Sequence, residues 1–280
     1  MLINDLECFE RASHYIKKYS LSDTIDGCMD KYWFKNYPVQ NYDYYYNSWG
    51  FRGPEYIQHI GKPVNLCLGD SFTVNIGGPI EHSWPSLLQE KYDIPCLNLG
   101  MDGAGNDAIR LVYNRACKIF DVKETFVVYS FFHRRLKKCF WQPYEYKFSS
   151  QPHDHEENIK HFETNFIDEA HFNFVPPWGW TEEELQYIEK LSEWYIEDLV
   201  KDTYWNNDLP RKYCSKEHYD NLKGENWPSY EKFILGADPH PDIYVEPYRV
   251  RYLEHCNRDG YHLSLAANQK LADNLYNQTK

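Results

Sequence analysis

The stretch Val64-Asn65-Leu66-Cys67-Leu68-Gly69-Asp70-Ser71 decides the fold class of this 280-residue chain. Four of its first five residues are apolar, which is typical of a short buried strand. Gly69 permits the tight turn that follows such a strand, and Ser71 then stands at the carboxyl end of the strand. Open parallel sheets carry their ligand sites at that edge, so Ser71 is a candidate functional residue. The alternative is a polar loop in which Ser71 caps a helix.

The same pattern recurs along the next sixty residues. Residues 96–99 and 125–129 are predicted to form two further short strands. Residues 83–92 and 107–119 have the apolar spacing of helices. Strand, helix, strand, helix, strand is the order that builds a parallel sheet covered on both faces. We therefore predict an α/β protein.

The rest of the chain is less regular. Apolar spacing predicts helices over 3–19 and 181–199, and Ser264 is predicted to cap a final helix. The stretches 132–180 and 203–250 break the rhythm and are interpreted as insertions. Because no clear linker is present, we predict one domain over residues 1–280, with residues 1–60 as an N-terminal extension.

Two other segments carry groups that a hydroxyl nucleophile needs. A nucleophilic serine requires a general base, and the base requires a carboxylate that fixes its tautomer. The segment Asp259-Gly260-Tyr261-His262 places a carboxylate three residues before a histidine. The segment from Asn98 to Asn106 ends a strand in a glycine-rich turn, and N–H groups at a helix start suit an oxyanion. Each segment alone is also compatible with an ordinary turn.

The order of these motifs resembles that of the SGNH (GDSL-type) hydrolases. The resemblance covers roughly residues 64–135 and 255–277, with a lead-in segment Asn47-Ser48-Trp49-Gly50-Phe51-Arg52-Gly53. It implies a three-layer α/β/α sandwich with a flavodoxin-like parallel sheet and hydrolysis of esters, including O-acetyl groups on sugars. It also implies a role for each matching residue: Ser71 as nucleophile, His262 as general base, Asp259 as orienting carboxylate, and the N–H groups of Ser71 and Gly103 as oxyanion donors.

One element of the family pattern is missing. The family usually places an asparagine after the next strand to complete the oxyanion hole, whereas this chain has Ser130-Phe131-Phe132-His133-Arg134 there. Asn106, one helical turn past Gly103, is the favoured replacement, and His133 or Arg134 is the less favoured one. The remaining interpretation is an incomplete hole and a slow enzyme, because losing one donor typically costs about 100- to 1,000-fold in rate.

The leading hypothesis is a serine hydrolase that cleaves a carboxylic ester through an acyl-enzyme and needs no metal or organic cofactor. The expected substrate is a small-molecule or carbohydrate ester, and an O-acetylated carbohydrate is favoured. Two alternatives stay open. One is an O-acyltransferase of the same fold, in which a sugar hydroxyl replaces water. The other is a non-catalytic binding module that keeps the fold.

Composition argues against several other functions. Acidic residues exceed basic ones by 42 to 30, for a net charge of -12, which disfavours a nucleic-acid binder because phosphate needs a positive face. The sequence contains no run of about 18 apolar residues, so it predicts no membrane-spanning helix. Its first residues do not resemble a signal peptide. The eight cysteines form no Cys-x-x-Cys pair, which favours a reducing compartment. We expect a cytoplasmic protein.

Two further groups of side chains have both a functional and a structural interpretation. His153, His155 and His161, with their acidic neighbours, resemble a metal cluster. Their spacing does not match the common zinc motif, which favours a solvated charged loop. The aromatic residues between Tyr42 and Trp49 suit the apolar faces of sugar rings, although packing of the N-terminal segment against the body is favoured.

Overall fold

The computed structural model describes residues 15–17, 23–26, 34–35, 37–137, 145–148, 155–174, 182–191, 257–259 and 262–280. The strands within these ranges are β1 (Tyr15–Lys17), β2 (Tyr44–Tyr46), β3 (Pro63–Gly69), β4 (Cys96–Gly100), β5 (Asp121–Tyr129), β6 (Arg134–Lys137), β7 (Glu145–Phe148) and β8 (His171–Phe174). The main helices are α1 (Ser71–Val74), α2 (Trp84–Gln89), α3 (Asn106–Ile119), α4 (His155–Asn165), α5 (Glu182–Leu191) and α6 (Leu265–Asn277).

A parallel sheet forms the centre of the fold, with the strand order β4-β3-β5-β8. β3 is flanked on both sides, and Val64, Leu66 and Leu68 are fully buried. A strand that is covered on both faces needs apolar residues at successive positions rather than at alternate ones, and Leu66, Cys67 and Leu68 provide them in β3. The predicted α/β fold with a parallel sheet is therefore confirmed.

Helices lie on both faces of this sheet. The chain crosses from β3 to β4 in one direction and from β4 past β3 to β5 in the other, so right-handed crossovers place α2 and α3 on opposite faces. The helix α6 packs against α2, and α4 packs against α3. The result is the three-layer sandwich that the resemblance implied, and the strand order matches the first four strands of a flavodoxin-like sheet.

Part of the stretch 132–180, interpreted from the sequence as an insertion, belongs to the sheet. β8 pairs with β5 from His171 opposite Phe126 to Phe174 opposite Tyr129. The sequence pattern did not indicate this strand because β8 has only four residues. β6 and β7 form a separate antiparallel pair. The insertion predicted at 203–250 lies outside the described residues, so the division of the chain into domain and insertions stays a prediction.

The N-terminal region differs from the sequence prediction. The helix predicted over 3–19 is wrong at residues 15–17, which form β1 antiparallel to β2; the rest of that stretch lies outside the described residues. Strand pairing is a tertiary contact, and it overrides a local preference for helix. Tyr44, Tyr46 and Trp49 are buried, so the packing interpretation holds for these three aromatic residues. Among the described helices, none has the length and apolar character to cross a bilayer.

Candidate active site

Ser71 begins α1 directly after β3, at the carboxyl edge of the sheet. Asp70 caps this short helix, because its Oδ1 accepts a hydrogen bond of 3.1 Å from the Phe72 N–H. The turn is close-packed: a Cβ atom on Gly100 would lie 2.7 Å from the Val74 nitrogen, and one on Gly69 would collide with the Thr73 side chain. Ser71 itself is only 5% exposed. The two glycines thus allow α1 to lie directly on the strand ends.

A buried ion pair joins the ends of β3 and β5 beside Ser71. Asp70 Oδ2 accepts hydrogen bonds from Arg134 Nη1 at 2.6 Å and from Ser130 Oγ at 2.9 Å. Arg134 Nη1 also donates to Ser130 Oγ at 3.0 Å. Arg134 was one of the side chains that the sequence offered as an oxyanion donor. In the structure its Nη1 donates to the Asp70 carboxylate.

Asp259 and His262 form a second buried pair. His262 Nδ1 lies 2.5 Å from Asp259 Oδ2, and the His262 N–H donates to Asp259 Oδ1 at 3.1 Å. Both side chains are nearly inaccessible to solvent, at 0% for Asp259 and 3% for His262. When Nδ1–H donates a hydrogen bond to this carboxylate, Nε2 carries a lone pair, which is the state that a general base requires.

The loop that carries this pair packs onto the turn that follows α1. Arg258 N–H donates to the Gly77 carbonyl at 2.8 Å, and Asn257 Nδ2 donates to Asn75 Oδ1 at 2.8 Å and to the Ile76 carbonyl at 3.0 Å. Gly77 is required here, because a Cβ atom would lie 2.7 Å from Asp259 Oδ1.

The His262 ring also packs against the helix that Ser71 begins. Its centroid lies 4.7 Å from that of Phe72, the residue after Ser71. The structure therefore brings the Asp259–His262 pair and the Ser71 segment to one corner of the sheet, although 191 positions separate Ser71 from His262 in the sequence.

Gly103 and Asn106 lie between β4 and α3. Gly103 adopts a left-handed φ of 67°, which favours glycine. The turn is tied to the end of β3 because the Met101 N–H donates to the Gly69 carbonyl at 3.0 Å. Asn106 is fully buried and holds the main chain of Ser130 at two points, donating from Nδ2 at 2.8 Å and accepting at Oδ1 at 2.9 Å. The amide predicted as an oxyanion donor thus secures the end of β5.

His133 lies half-buried after β5. Burial and the nearby charges of Arg134 and Arg135 lower its pKa, so the ring is neutral at pH 7 and one of its nitrogens carries a hydrogen.

His155 and His161 each lie 3.5 Å from a carboxylate, on Glu183 and Asp107 respectively. The described residues contain no group of three or more potential metal ligands, and His153 lies outside them.

Arg52 is a buried residue of the site region to which the sequence assigned no role. Its guanidinium donates to the carbonyls of Val74, Asn75 and Gly78 at 3.1, 2.6 and 2.8 Å, just where α1 ends. Burial lowers the pKa of Arg52, and the group lies 4.1 Å from the centroid of the Tyr44 ring. In the sequence, only the lead-in segment that resembles the family, which contains Arg52, indicated that this residue belongs to the site region.

Comparison with known proteins finds similarity only among solved structures. No protein-family model and no curated protein matches the chain. The chain is similar to a psychrotrophic esterase, EstA, from Pseudoalteromonas sp., with 12% identity and a TM-score of 0.37, over 77% of this chain and 96% of that one.

Two other solved structures are similar at the same level. One is a putative lipolytic protein of the G-D-S-L family from Desulfitobacterium hafniense, with 16% identity and a TM-score of 0.31, over 62% of this chain and 95% of that one. The other is the catalytic domain of a Streptococcus pneumoniae peptidoglycan O-acetyltransferase, with 14% identity and a TM-score of 0.35, over 79% and 94%.

Proposed function

We propose that this protein is a serine esterase that forms an acyl-enzyme on Ser71. The observation that carries the proposal is the buried Asp259–His262 pair, whose imidazole packs against the helix that Ser71 begins. A carboxylate that orients a histidine, packed against a helix that a serine begins at the carboxyl edge of a parallel sheet, is an arrangement suited to activating a hydroxyl nucleophile. The substrate class that we propose is a small-molecule or carbohydrate ester, with an O-acetylated carbohydrate favoured.

The proposed reaction uses only side chains and main-chain groups. Ser71 Oγ attacks the ester carbonyl and loses its proton to His262 Nε2, while Asp259 stabilises the imidazolium that forms. The N–H groups of Ser71 and Gly103 bind the oxyanion. When the intermediate collapses, the leaving alcohol takes the proton from His262. Water then attacks the acyl-enzyme with His262 as base, which releases the acid and regenerates Ser71.

The third oxyanion donor is then one of three side chains, Asn106, His133 or Arg134. Asn106 Nδ2 and Arg134 Nη1 are bonded to Ser130 and Asp70 respectively, while the His133 ring is neutral at pH 7. Substituting Asn106, His133 or Arg134 with alanine, one at a time, distinguishes these donors. Substitution of the true donor should lower the rate constant of acylation by about 100- to 1,000-fold in folded protein.

The proposal is tested with a fluorophosphonate probe and a small activated ester such as p-nitrophenyl acetate. The unmodified protein should be labelled at Ser71, Ser71→Ala should abolish labelling and turnover, and Asp259→Asn should lower kcat by about 10,000-fold. The rate should also be low in acid, because a protonated imidazole cannot accept the Ser71 proton. Ser86→Ala, which alters an α2 serine bonded to the Ile80 carbonyl, is the matched control. Absence of labelling in folded protein would favour the binding module.

The acyltransferase stays as a second candidate because Ser71 and His262 are both nearly inaccessible, at 5% and 3%. A site that limits access of water gives an acyl-enzyme time to meet another hydroxyl. Product analysis with an acetyl donor and a sugar acceptor separates the two functions. Acetylated sugar in excess of free acetate would favour transfer, and free acetate alone would favour hydrolysis.

A further inference from the structure

A set of buried polar contacts connects the N-terminal segment to the site. We propose that Asp23 is a positioning residue, which holds the Asp259–His262 pair in place relative to Ser71 through Arg258 and Tyr44. We call Asp23, Tyr44, Arg52 and Arg258 the brace. The catalytic consequence of this inference rests on the proposed function, whereas the positional one does not.

The first link of the brace is a bidentate ion pair. Arg258 Nε and Nη2 donate to the two carboxylate oxygens of Asp23 at 2.7 and 2.6 Å, and both side chains are buried. Arg258 Nη1 donates to the Gln40 carbonyl at 2.8 Å. Burial lowers the pKa of Arg258, but the hydrogen bond to Asp23 and nearby groups outweigh it and raise that pKa overall. A planar guanidinium held in this way has one orientation, and the next residue in the chain is Asp259.

The second link runs from the same carboxylate to the other side of the site. The Tyr44 hydroxyl donates to Asp23 Oδ2 at 2.7 Å and accepts from the Gly77 N–H at 2.7 Å. Burial and the charge of Asp23 raise the pKa of Tyr44, so the hydroxyl stays protonated and available as a donor. Asp23 is thus connected through Arg258 to the loop that carries the Asp259–His262 pair. Through Tyr44 it is connected to the turn that follows α1.

The site needs such support because its own elements are short. The helix α1 has four residues, which is too few to be stable without tertiary contacts. Arg52 holds the carbonyl end of α1 and stacks on Tyr44, so the same segment secures both parts of the site. Because a misplacement of about 1 Å can cost about 100-fold in rate, the position of His262 relative to Ser71 depends on these contacts.

Asp23→Asn is the test variant, because it keeps the size of the side chain but removes its charge. Asp43→Asn makes the same change at an exposed position next to Tyr44 and is the matched control. Asp23→Asn should lower kcat on the activated ester and the rate of fluorophosphonate labelling by about 10- to 100-fold, with KM nearly unchanged. Asp43→Asn should match the unmodified protein. Circular dichroism identifies the temperature range in which each variant is folded.

A second measurement reports position without activity. The ring signals of His262, assigned by their loss in His262→Gln, should shift in the NMR spectrum of Asp23→Asn and stay in place in Asp43→Asn. If Asp23→Asn does not fold, Asp23→Glu, which keeps the charge but lengthens the side chain, takes its place with the same expectations. A folded variant with unmoved His262 signals and an unchanged kcat would overturn the inference.

Failure of the proposed function has a different signature. If the unmodified protein neither reacts with the probe nor hydrolyses the ester, the esterase assignment fails. Shifted His262 signals in Asp23→Asn would then still support Asp23 as the residue that positions this pair, and unmoved signals would overturn that as well.

Discussion

At the residue scale, Asp70 connects several parts of the site. Its Oδ1 caps α1 and its Oδ2 binds Ser130 and Arg134, so one carboxylate orders the turn that contains Ser71 and the end of β5 together. A buried charge is tolerated only when it is paired and hydrogen-bonded, and the Asp70 carboxylate accepts hydrogen bonds from Phe72, Ser130 and Arg134. Removal of the carboxylate would leave the buried Arg134 cation without its counter-ion.

Asp70→Asn should therefore lower the free energy of unfolding by about 3–5 kcal/mol. The control is Asp121→Asn, which breaks an ion pair with Lys123 whose side chains are 48% and 47% exposed; this change should cost no more than about 1 kcal/mol. Urea denaturation measures both losses. Equal losses for the two variants would show that burial of the Asp70–Arg134 pair does not decide its contribution.

At the scale of elements, α1 is held by its neighbours more than by its own hydrogen bonds. Asn98 Nδ2, from β4, donates to the Thr73 carbonyl at 2.9 Å, and Trp84 Nε1, from α2, donates to Thr73 Oγ1 at 3.2 Å. The close approach of α1 to β4 depends on the absence of a side chain at Gly100. The position of Ser71 is thus determined by packing between elements.

Gly100→Ala should move α1, because the new Cβ would lie 2.7 Å from the Val74 nitrogen. We expect a loss of about 1–3 kcal/mol in stability and slower labelling of Ser71. Gly61→Ala is the comparison: Gly61 has a φ of 67°, and a Cβ atom added there would meet nothing within 4 Å. This variant should lose about 1–2 kcal/mol through backbone strain and keep its labelling rate. Slower labelling in both variants would contradict a local effect on α1.

At the scale of the whole molecule, an acidic chain with a net charge of -12 keeps several cations inside. Arg52, Arg134 and Arg258 are buried, and each binds carbonyls or a carboxylate near the site. Another positive charge in this region would raise the free energy of the folded state. The lowered pKa of His133, which burial and the neighbouring arginines cause, expresses this cost.

We expect His133 to contribute to the dependence of folding stability on pH. Because its pKa is lower in the folded state, the unfolded state binds more protons as the pH falls below about 6.5, and stability is lost over that range. Unfolding midpoints in urea at pH 7.5 and pH 5.5 measure this loss, which should be smaller in His133→Gln than in the unmodified protein. His59, whose pKa is lowered by slighter burial and by Lys62, should give a smaller change on substitution. An unchanged loss in His133→Gln would contradict this assignment.

The sequence predicted those parts of the fold that depend on neighbours in the chain. The apolar run of β3, the turn before Ser71 and the cap of α6 by Ser264, whose Oγ accepts from the Ala267 N–H, follow from local pattern and local hydrogen bonds. The contact of Asp259 with His262 belongs here too, because only three positions separate the residues. The strand β8 was not predicted because its four residues are too few to show a recognisable apolar pattern.

By itself, then, the sequence determined the α/β class, the order of the central elements and the residue types available for chemistry, since apolar periodicity and capping act over a few residues. Only the tertiary structure decided which polar groups meet. Asp23 pairs with Arg258 across 235 positions, and Asp70 pairs with Arg134 across 64. Asn106, which the sequence predicted as an oxyanion donor, binds the main chain of Ser130 across 24 positions. The physical reason is that a buried polar group must find partners wherever packing places them, and packing is not a local property.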